Sequence, residues 1–540
     1  MYDLIIRGGR VLDGRGSEPR RTDVAVAGDT IATVADLSPD EPSAHTVEAE
    51  GLVVCPGFVN PLSHSYLSVL EDGTSLGELV QGVTTQIFGE GESMGPVPDI
   101  ARPALERDAS QSGVEVTWTR LSEYLDTAER SGCTQNVASL VGAETLRIYG
   151  VGYDDRPATD VELDRMRHVL AEEMADGALG VGSSLIYAPG SYAGTEELVA
   201  LCEVAGGFGG TYASHVRDEG GGLLSAIEEL LEIVRRSGVH GEMWHLKAAG
   251  KPHWPLMEQA IARLQDARDA GVPIGADVYP YTRSGTGLSS TVPPRWHEGG
   301  ADALYDRLAD PAVRGAIRAD MVALGRYGDT PDAADVLLLR LSHPDNAPWQ
   351  GHTLAEVAAD RDQDPVDTAL DILRTERTSV FSAFASMSED NLRRELSVPW
   401  VGICSDAASI APAGRSLDSP THPRAYGSFA RVLGHYARDL GLLTLPEAVR
   451  RMTSLPATTF GLSDRGVIEP GYAADLVVLD PDRIADRADF SDPHRLSVGV
   501  HDVVVNGVIA LSDGRPTGAR PGRRLRRGRG ARGRAAAGIR

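Results

Sequence analysis

Lysine and cysteine are the residue types that this chain of 540 residues has least of. The four cysteines lie far apart and form no CxxC pair, at positions Cys55, Cys133, Cys202 and Cys404. This spacing argues against a disulfide framework and against a zinc site made of thiolates, and it indicates reduced thiols. Only two lysines, Lys247 and Lys251, stand beside fifty arginines. Because a compact ammonium and a planar guanidinium are not interchangeable, each lysine is a candidate for a specific role.

Long apolar runs are also absent. No stretch of about 18 apolar residues occurs, so we expect no transmembrane helix and no membrane partner. The first residues, MYDLIIRGGRVLDG, contain no basic segment followed by an apolar one, which argues against a secretory signal. We therefore expect a cytoplasmic protein.

Acidic residues outnumber basic ones, which gives a formal net charge of −25. Such a charge argues against a nucleic-acid partner. Residues 520–540 are the exception, with nine arginines and no acidic residue. A segment of glycine, arginine and alanine cannot bury an apolar core, so we expect residues 516–540 to form a disordered, Arg-rich tail.

Short alternating strands are expected at both ends of the chain. Residues 1–54 contain several, and the segment 465–515 ends with VVVNGVIAL, in which Asn506-Gly507 is a strong two-residue turn signal. Two small strand-rich pieces can each bury one face only by meeting. The sequence therefore predicts one small β-sandwich built from both terminal segments.

Between these ends, short apolar strands alternate with helical stretches whose apolar spacing is close to 3.6 residues. The eight strands read VVCPGFVN, VTTQIFGE, NVASLVG, GVGSSLI, GTYASH, EMWHLK, IGADVYPY and VGICSD. Eight β/α units predict the α/β class and a (β/α)8 TIM barrel over residues 55–464, with its chemistry at the C-terminal ends of the strands. We expect an inserted lobe at about residues 283–350, beside the mouth of the barrel, where it could act as a lid.

Three polar side chains fall at these predicted strand ends. His215 closes the fifth strand, His245 lies near the end of the sixth, and Asp406 closes the eighth. Two neutral imidazoles and a carboxylate suit a zinc ion that keeps an open position for water, and zinc lowers the pKa of such a water to about 7. Asp406 would then take the water proton and pass it to a leaving nitrogen. The set predicts metal-dependent hydrolysis of a C–N bond.

Motifs along most of the chain resemble a known family. They are PGFVN at 56–60, QGVTT at 81–85, SLIYAPGSYA at 184–193, YASHVRDEG at 212–220, HLKAAG at 245–250, DVYPYT at 277–282, SDA at 405–407 and THPRAYGSFARVLG at 421–434. The chain resembles the amidohydrolase superfamily from residue 1 to about residue 515. HLKAAG, HPRAYG and SLIYAPG together are specific to its N-acyl-D-amino-acid deacylase (D-aminoacylase) group. The resemblance implies a zinc-dependent hydrolase acting on the amide bond of a small N-acyl D-amino acid.

The resemblance also implies roles for single residues. His215 and His245 match the two zinc-binding histidines of the group, and Asp406 matches its catalytic aspartate. Tyr187 is a candidate for polarising the substrate carbonyl, with core packing as the alternative.

Other matching positions hold the substrate carboxylate in the group. They are Lys247, Arg424 and one tyrosine of DVYPYT, either Tyr279 or Tyr281. A free carboxylate suits a bidentate guanidinium together with a point cation.

Two departures from the family pattern concern the metal. The superfamily usually has His-x-His at the end of the first strand, after an aspartate, but here Asn60 replaces the aspartate, Leu62 replaces the first histidine, and only His64 remains. The group also carries a metal-binding cysteine after the second strand, where this chain reads GEGES. Glu90 is the expected replacement ligand and Glu92 the runner-up, because a carboxylate oxygen can ligate zinc. We therefore expect one tightly bound zinc ion.

Two other functions stay open. A ring-opening hydrolase of cyclic amides or imides would usually keep the first-strand histidine pair and a carbamylated lysine on the fourth strand, which here reads GVGSSLI. A non-catalytic barrel kept as a binding subunit would suit the loss of the first histidine. The oligomeric state is open as well.

Overall fold

Strands from both ends of the chain form one nine-stranded sheet in this computed structural model, which describes residues 1–325, 330 and 332–528. The strands are Tyr2–Val11, Arg20–Ala27, Thr30–Ala35, Ser43–Glu48, Val53–Pro56, Leu476–Leu479, Val500–Val505, Val508–Ser512 and Arg515–Pro516. Val53–Pro56 joins the two ends of the chain, because it pairs parallel with Tyr2–Val11 and antiparallel with Leu476–Leu479. The Asn506-Gly507 turn has positive φ at both residues, 47° and 80°, the backbone that an Asn-Gly hairpin predicts.

Eight parallel strands form the barrel that the sequence predicts. In chain order they are Phe58–Asn60, Val83–Phe88, Asn136–Ser139, Gly180–Ser184, Thr211–His215, His240–Met243, Ile274–Val278 and Val401–Ile403. The Leu179 amide donates to the Ser139 carbonyl at 3.0 Å and joins the third strand to the fourth. The Asp406 amide donates to the Leu62 carbonyl, also at 3.0 Å, and closes the barrel between the eighth strand and the first.

Helices surround this barrel. They are Ser68–Glu71, Leu76–Leu79, Arg102–Gln111, Leu121–Ser131, Ala143–Gly150, Asp160–Ala175, Thr195–Gly207, Leu223–Ser237, Leu256–Asp269, Glu389–Leu396, Arg424–Arg431, Leu445–Met452 and Ser454–Thr459, with a π-helix at Val432–Asp439. Asp160–Ala175 begins with a capping box, in which Thr159 and Glu162 satisfy each other's backbone amides. In the described ranges, every helix is too short or too polar to cross a membrane.

An inserted lobe follows the seventh barrel strand. Its three-stranded sheet comprises Ser284–Gly287, Val336–Leu338 and Phe381–Phe384, and its helices are Ala301–Ala309, Pro311–Leu324, Leu354–Asp360 and Pro365–Glu376. The lobe has an apolar core of its own. Because Phe381–Phe384 is the central strand of this sheet, the expected boundary near residue 350 was too early, and the lobe extends to about residue 384.

The described part of the Arg-rich tail is ordered against the lower, N-terminal end of the barrel. The Leu525 amide donates to the Val137 carbonyl at 2.8 Å, and the Leu525 side chain is 8% exposed. Arg524, buried beside it, donates to Asp126 at 2.7 Å. The expectation of disorder is therefore wrong for residues 516–528, because acidic groups far away in the sequence neutralise the arginines. Residues 529–540 lie outside the described part of the chain.

Candidate active site

The predicted site residues meet at the upper, C-terminal mouth of the barrel. Glu90 lies two residues after the second strand, His215 ends the fifth strand, and His245 lies two residues after the sixth. Asp406 lies three residues after the eighth strand. Because the carboxyl ends of all eight parallel strands face the same side, residues more than 300 positions apart come together there.

Glu90, His215 and His245 form one compact cluster. Glu90 Oε1 lies 2.9 Å from His215 Nδ1 and 3.1 Å from His245 Nε2. One ligand atom from each residue lies within 4.8 Å of the others, and their side chains are 2–8% exposed. Two imidazole nitrogens and one carboxylate oxygen directed at a shared point match the donor set of a zinc site with an open position. Glu90, and not the runner-up Glu92, lies among the imidazoles.

A second cluster adjoins the first through the same carboxylate. Glu90 Oε2 lies 3.1 Å from His64 Nε2, which lies 2.9 Å from Asp406 Oδ1. Arg424 Nη1 donates to the other oxygen of Asp406 at 2.7 Å. Leu62, at the position of the missing histidine, is buried in the apolar interior of the barrel and offers no donor atom. This cluster is therefore the poorer metal site of the two.

Neighbouring charges keep the two carboxylates of these clusters ionised. Burial alone would raise the pKa of Glu90, but hydrogen bonds to His215, His245 and His64 outweigh burial and hold the pKa of that carboxyl well below its usual range. Burial also opposes ionisation of Asp406, but the Arg424 charge and the His64 hydrogen bond lower the pKa of Asp406. An ionised Asp406 can accept a proton.

Backbone strain marks two of the site residues. His245 and Asp406 have positive φ values of 37° and 48°, a region that costs residues other than glycine about 1–3 kcal/mol. The Asp277 carboxylate holds the strained segment by accepting the His245 amide at 2.6 Å. Both turns direct a polar side chain into the mouth instead of letting it follow the strand alternation.

The predicted carboxylate-binding cations are both buried at the mouth. Lys247 Nζ lies 2.6 Å from Glu219 Oε1 and 2.7 Å from His245 Nδ1. Arg424 Nη2 donates to the Gly285 carbonyl at 3.2 Å. Arg424 Nε is buried and makes no hydrogen bond with any described residue.

The two tyrosines of DVYPYT face different surroundings. Tyr279 lies beneath the Arg424 guanidinium, 4.7 Å from Cζ to the ring centroid, and its ring is 6.4 Å from that of His245. Tyr281 points its hydroxyl at the Pro423 carbonyl, 3.5 Å away, and its ring lies under Arg431. The structure therefore brings Tyr279 close to Arg424 and His245 and places Tyr281 behind the helix that begins at Arg424.

Tyr187 links the mouth to the inserted lobe. Its ring packs edge-on against His215 at 5.5 Å, and its hydroxyl lies 2.6 Å from Thr286 Oγ1. Thr286 belongs to the lobe strand that also supplies Gly285, the acceptor for Arg424. Tyr187 is therefore close to the metal-ligand cluster of Glu90, His215 and His245. One strand of the lobe contacts both Tyr187 and Arg424.

Sequence reasoning missed Glu219, a buried residue of the site. Its carboxylate contacts Lys247 and approaches both His215 and His245, at 3.4 Å and 3.2 Å. Glu219 follows His215 by four residues in YASHVRDEG. That short spacing was the available signal, but the residue lies in a loop beyond the strand end.

A second missed group lies beneath the mouth. Asn60 Nδ2 donates to Glu78 Oε1 at 2.7 Å, and Ser405 Oγ donates to the same oxygen at 2.8 Å. The Ser405 amide donates to Asn60 Oδ1 at 3.0 Å. These bonds tie the first barrel strand to the residue before Asp406. Asn60, which departs from the family pattern, is thus satisfied by a carboxylate from elsewhere in the chain.

Comparison with known proteins places this chain in a family. Residues 414–511 match the group described as "Amidohydrolase family". The chain is 35% identical to the D-aminoacylase of Alcaligenes xylosoxydans xylosoxydans, and the match covers 97% of this chain and 98% of that enzyme. The chain belongs to the amidohydrolase family. Within it, the chain groups with the N-acyl-D-amino-acid deacylases, hydrolases of C–N bonds other than peptide bonds, as the motifs predict.

Solved structures agree with this assignment. A D-aminoacylase structure described by its binuclear metal center, with one-metal activation and second-metal attenuation, has a TM-score of 0.81 at 32% identity, covering 98% of this chain and all of that one. The N-acyl-D-glutamate deacylase of Bordetella bronchiseptica, in complex with zinc and a phosphonate that mimics the tetrahedral intermediate, also has a TM-score of 0.81, at 31% identity over 97% of this chain and 99% of that one.

Proposed function

We propose that this protein hydrolyses the amide bond of N-acyl D-amino acids and uses one tightly bound zinc ion held by Glu90, His215 and His245. The observation that carries the proposal is the approach of one Glu90 oxygen to both imidazole nitrogens, at 2.9 and 3.1 Å, beside an ionised Asp406. A zinc ion held by these three residues would supply Lewis-acid activation of water and of the scissile carbonyl.

The residues of this chain carry the proton. Asp406 accepts a proton from the attacking water at a carboxylate oxygen and delivers it to the leaving nitrogen. One water is consumed, the C–N bond breaks, and a carboxylic acid and a free amino acid are released. We assign to Tyr187, whose ring packs on His215, the donation of a hydrogen bond to the substrate carbonyl.

Recognition of the substrate carboxylate falls to Arg424, Lys247 and Tyr279. Arg424 supplies a planar donor array whose Nε has no partner among the described residues, and Lys247 supplies a compact charge. Tyr279 supports the guanidinium from below. We assign this role to Tyr279 rather than Tyr281, whose hydroxyl faces the Pro423 carbonyl.

A kinetic screen of matched N-acyl D- and L-amino acids, and of substrates with an amidated carboxylate, tests this class of substrate. We expect Arg424→Ala to raise KM by the equivalent of about 2–4 kcal/mol, since a desolvated carboxylate loses its partner. Amidation should cause a similar loss in the wild type and little further loss in the variant. Arg438→Ala is the matched control. Arg438 lies on the π-helix Val432–Asp439 and donates to the Ile484 carbonyl. Additive losses would show that Arg424 does not bind the carboxylate.

Metal analysis after dialysis against a weak chelator tests the ligand set. We expect close to one zinc per chain in the wild type and in His64→Ala, and loss of zinc in Glu90→Ala. Glu92→Ala is the matched control, since Glu92 lies outside both clusters. Two tightly held zinc ions in the wild type, or full retention without Glu90, would contradict the proposed site.

We also infer that the protein works in a reducing compartment, the cytoplasm. All four cysteines are buried and unpaired, and free buried thiols persist where disulfides are kept reduced. Thiol titration of protein purified without reductant and then unfolded should give four free thiols per chain. A lower value would argue against this compartment.

A further inference from the structure

Glu219 lies behind the metal-ligand cluster, on the opposite side of both imidazoles from Glu90. Glu90 faces His215 Nδ1 and His245 Nε2. Glu219 faces the other nitrogen of each ring, with Oε2 3.4 Å from His215 Nε2 and Oε1 3.2 Å from His245 Nδ1. The Glu219 side chain is 3% exposed. One buried carboxylate therefore lies beside both histidines.

The chemistry of imidazole gives this arrangement a consequence. A neutral histidine carries one N–H, and the nitrogen that ligates a metal has to be the bare one. With Glu90 marking the metal side, the N–H of His215 belongs on Nε2, whereas His245 Nδ1 lies 2.7 Å from the Lys247 ammonium, which is itself a donor. Glu219 faces the Nε2 of His215 directly, at 3.4 Å, and lies next to His245 through the Lys247 ammonium that it binds.

Lys247 makes a buried carboxylate tolerable at this position. Its ammonium lies 2.6 Å from Glu219 Oε1, and an unpaired buried charge would cost several kcal/mol. The Ala249 amide also donates to the Glu219 carbonyl at 2.7 Å. The Glu219 loop and the HLKAAG segment therefore hold each other at the mouth.

We propose that Glu219 is a positioning residue that orients both histidines for zinc, His215 directly and His245 through Lys247, and anchors Lys247 beside the substrate. The proposal rests on the ligand set of the proposed function. Hydrogen-bond partners of metal-binding histidines typically contribute about 10–100-fold to metal affinity. Because this carboxylate faces two ligands, its loss should fall at the upper part of that range.

The test is the zinc dissociation constant, measured by competition with a chromogenic chelator, of the wild type, Glu219→Gln and Glu219→Asp. Glu219→Gln keeps the shape but loses the charge, and we expect about 30–100-fold weaker zinc binding. Glu219→Asp keeps the charge on a shorter side chain that cannot reach both rings, so it should show a smaller loss. Glu173→Gln is the matched control: Glu173 is also buried and ion-paired, with Arg120 on the outer surface of the barrel.

Two further readouts distinguish positioning from general support of the fold. Excess zinc should restore most of kcat in Glu219→Gln while KM stays raised, because Lys247 has lost its anchor. The melting temperature of the zinc-free variant should stay near that of zinc-free wild type. Zinc affinity within twofold of wild type in both Glu219 variants, with zinc still lost in Glu90→Ala, would overturn this proposal alone. Zinc retained in Glu90→Ala would instead overturn the ligand set of the proposed function.

Discussion

The two ends of the barrel bury different kinds of side chain, ionic at the mouth and apolar at the lower end. At the mouth, the carboxylates of Glu90, Glu219 and Asp406 are each at most 8% exposed and lie against histidines and cations. At the lower end, Leu525 completes an apolar cluster with Phe460 and Leu462 inside the barrel. Buried ionic groups contribute little to stability even when paired, whereas apolar burial is its main source. Apolar burial at the lower end therefore offsets the stability that the buried ionic groups at the mouth do not supply.

The largest effect should come from a charge at the mouth. Asp406→Asn keeps the shape of the side chain but removes proton transfer, so we expect turnover to fall by about 10²–10⁴-fold. Zinc content should stay near wild type, and the free energy of unfolding should fall, because the buried Arg424 loses its anionic partner. Asp486→Asn is the matched control, because Asp486 pairs with Arg431 behind the site. Near-normal turnover in Asp406→Asn would contradict the assignment of proton transfer to Asp406.

The next effect should come from the lower end and should concern stability. Leu525→Ala empties part of the apolar cluster and should lower the free energy of unfolding by about 3 kcal/mol, measured in urea. The kcat of the folded enzyme should not change. Leu417→Ala, at a leucine that is 52% exposed, should leave stability within about 0.5 kcal/mol. A loss of kcat without a loss of stability in Leu525→Ala would contradict the assignment of stability to the lower end and of catalysis to the mouth.

A smaller effect should appear in the pH dependence of stability, through Glu78 beneath the mouth. Burial raises the pKa of Glu78 from its ordinary value of 4.5 to about 7. Between these values the folded state binds more protons than the unfolded state, so this group makes stability fall as pH rises. In Glu78→Gln that contribution is absent. From pH 5 to pH 8, the wild type should lose about 2 kcal/mol more than the variant. Parallel pH profiles in the two proteins would show that Glu78 does not titrate in this way.

Parts of the site could be predicted because they follow strand periodicity. His215, His245 and Asp406 stand at or just beyond the ends of apolar strands, and parallel strands of a barrel end on one side. Glu90 required more than periodicity, because only the resemblance to a family with a cysteine at this turn indicated a ligand there. The choice between Tyr279 and Tyr281 could not be made from the sequence. Both residues lie just after the strand Ile274–Val278, where the path of the backbone decides which ring faces the mouth.

Other features depended on contacts between distant segments. The arginines of residues 516–528 resemble a disordered tail in composition, and residues 514–540 contain no acidic side chain. Their partners, such as Asp126 for Arg524, lie almost 400 residues away. The end of the inserted lobe was missed for the same reason, because the strand Phe381–Phe384 is recognisable only once its two partner strands are known.

The terminal sheet also sets the order in which the chain can fold during synthesis. The strand Val53–Pro56, whose four residues are all buried, pairs with Leu476–Leu479, more than 400 residues later. At about 5–20 residues per second on the ribosome, that partner arrives roughly 20–80 s after the strand itself. Until then an apolar strand edge stays open, a surface that invites association with other nascent chains. Residues 476–528 complete both the terminal sheet and the lower end of the barrel. Both are therefore finished only after the eight barrel strands have been made.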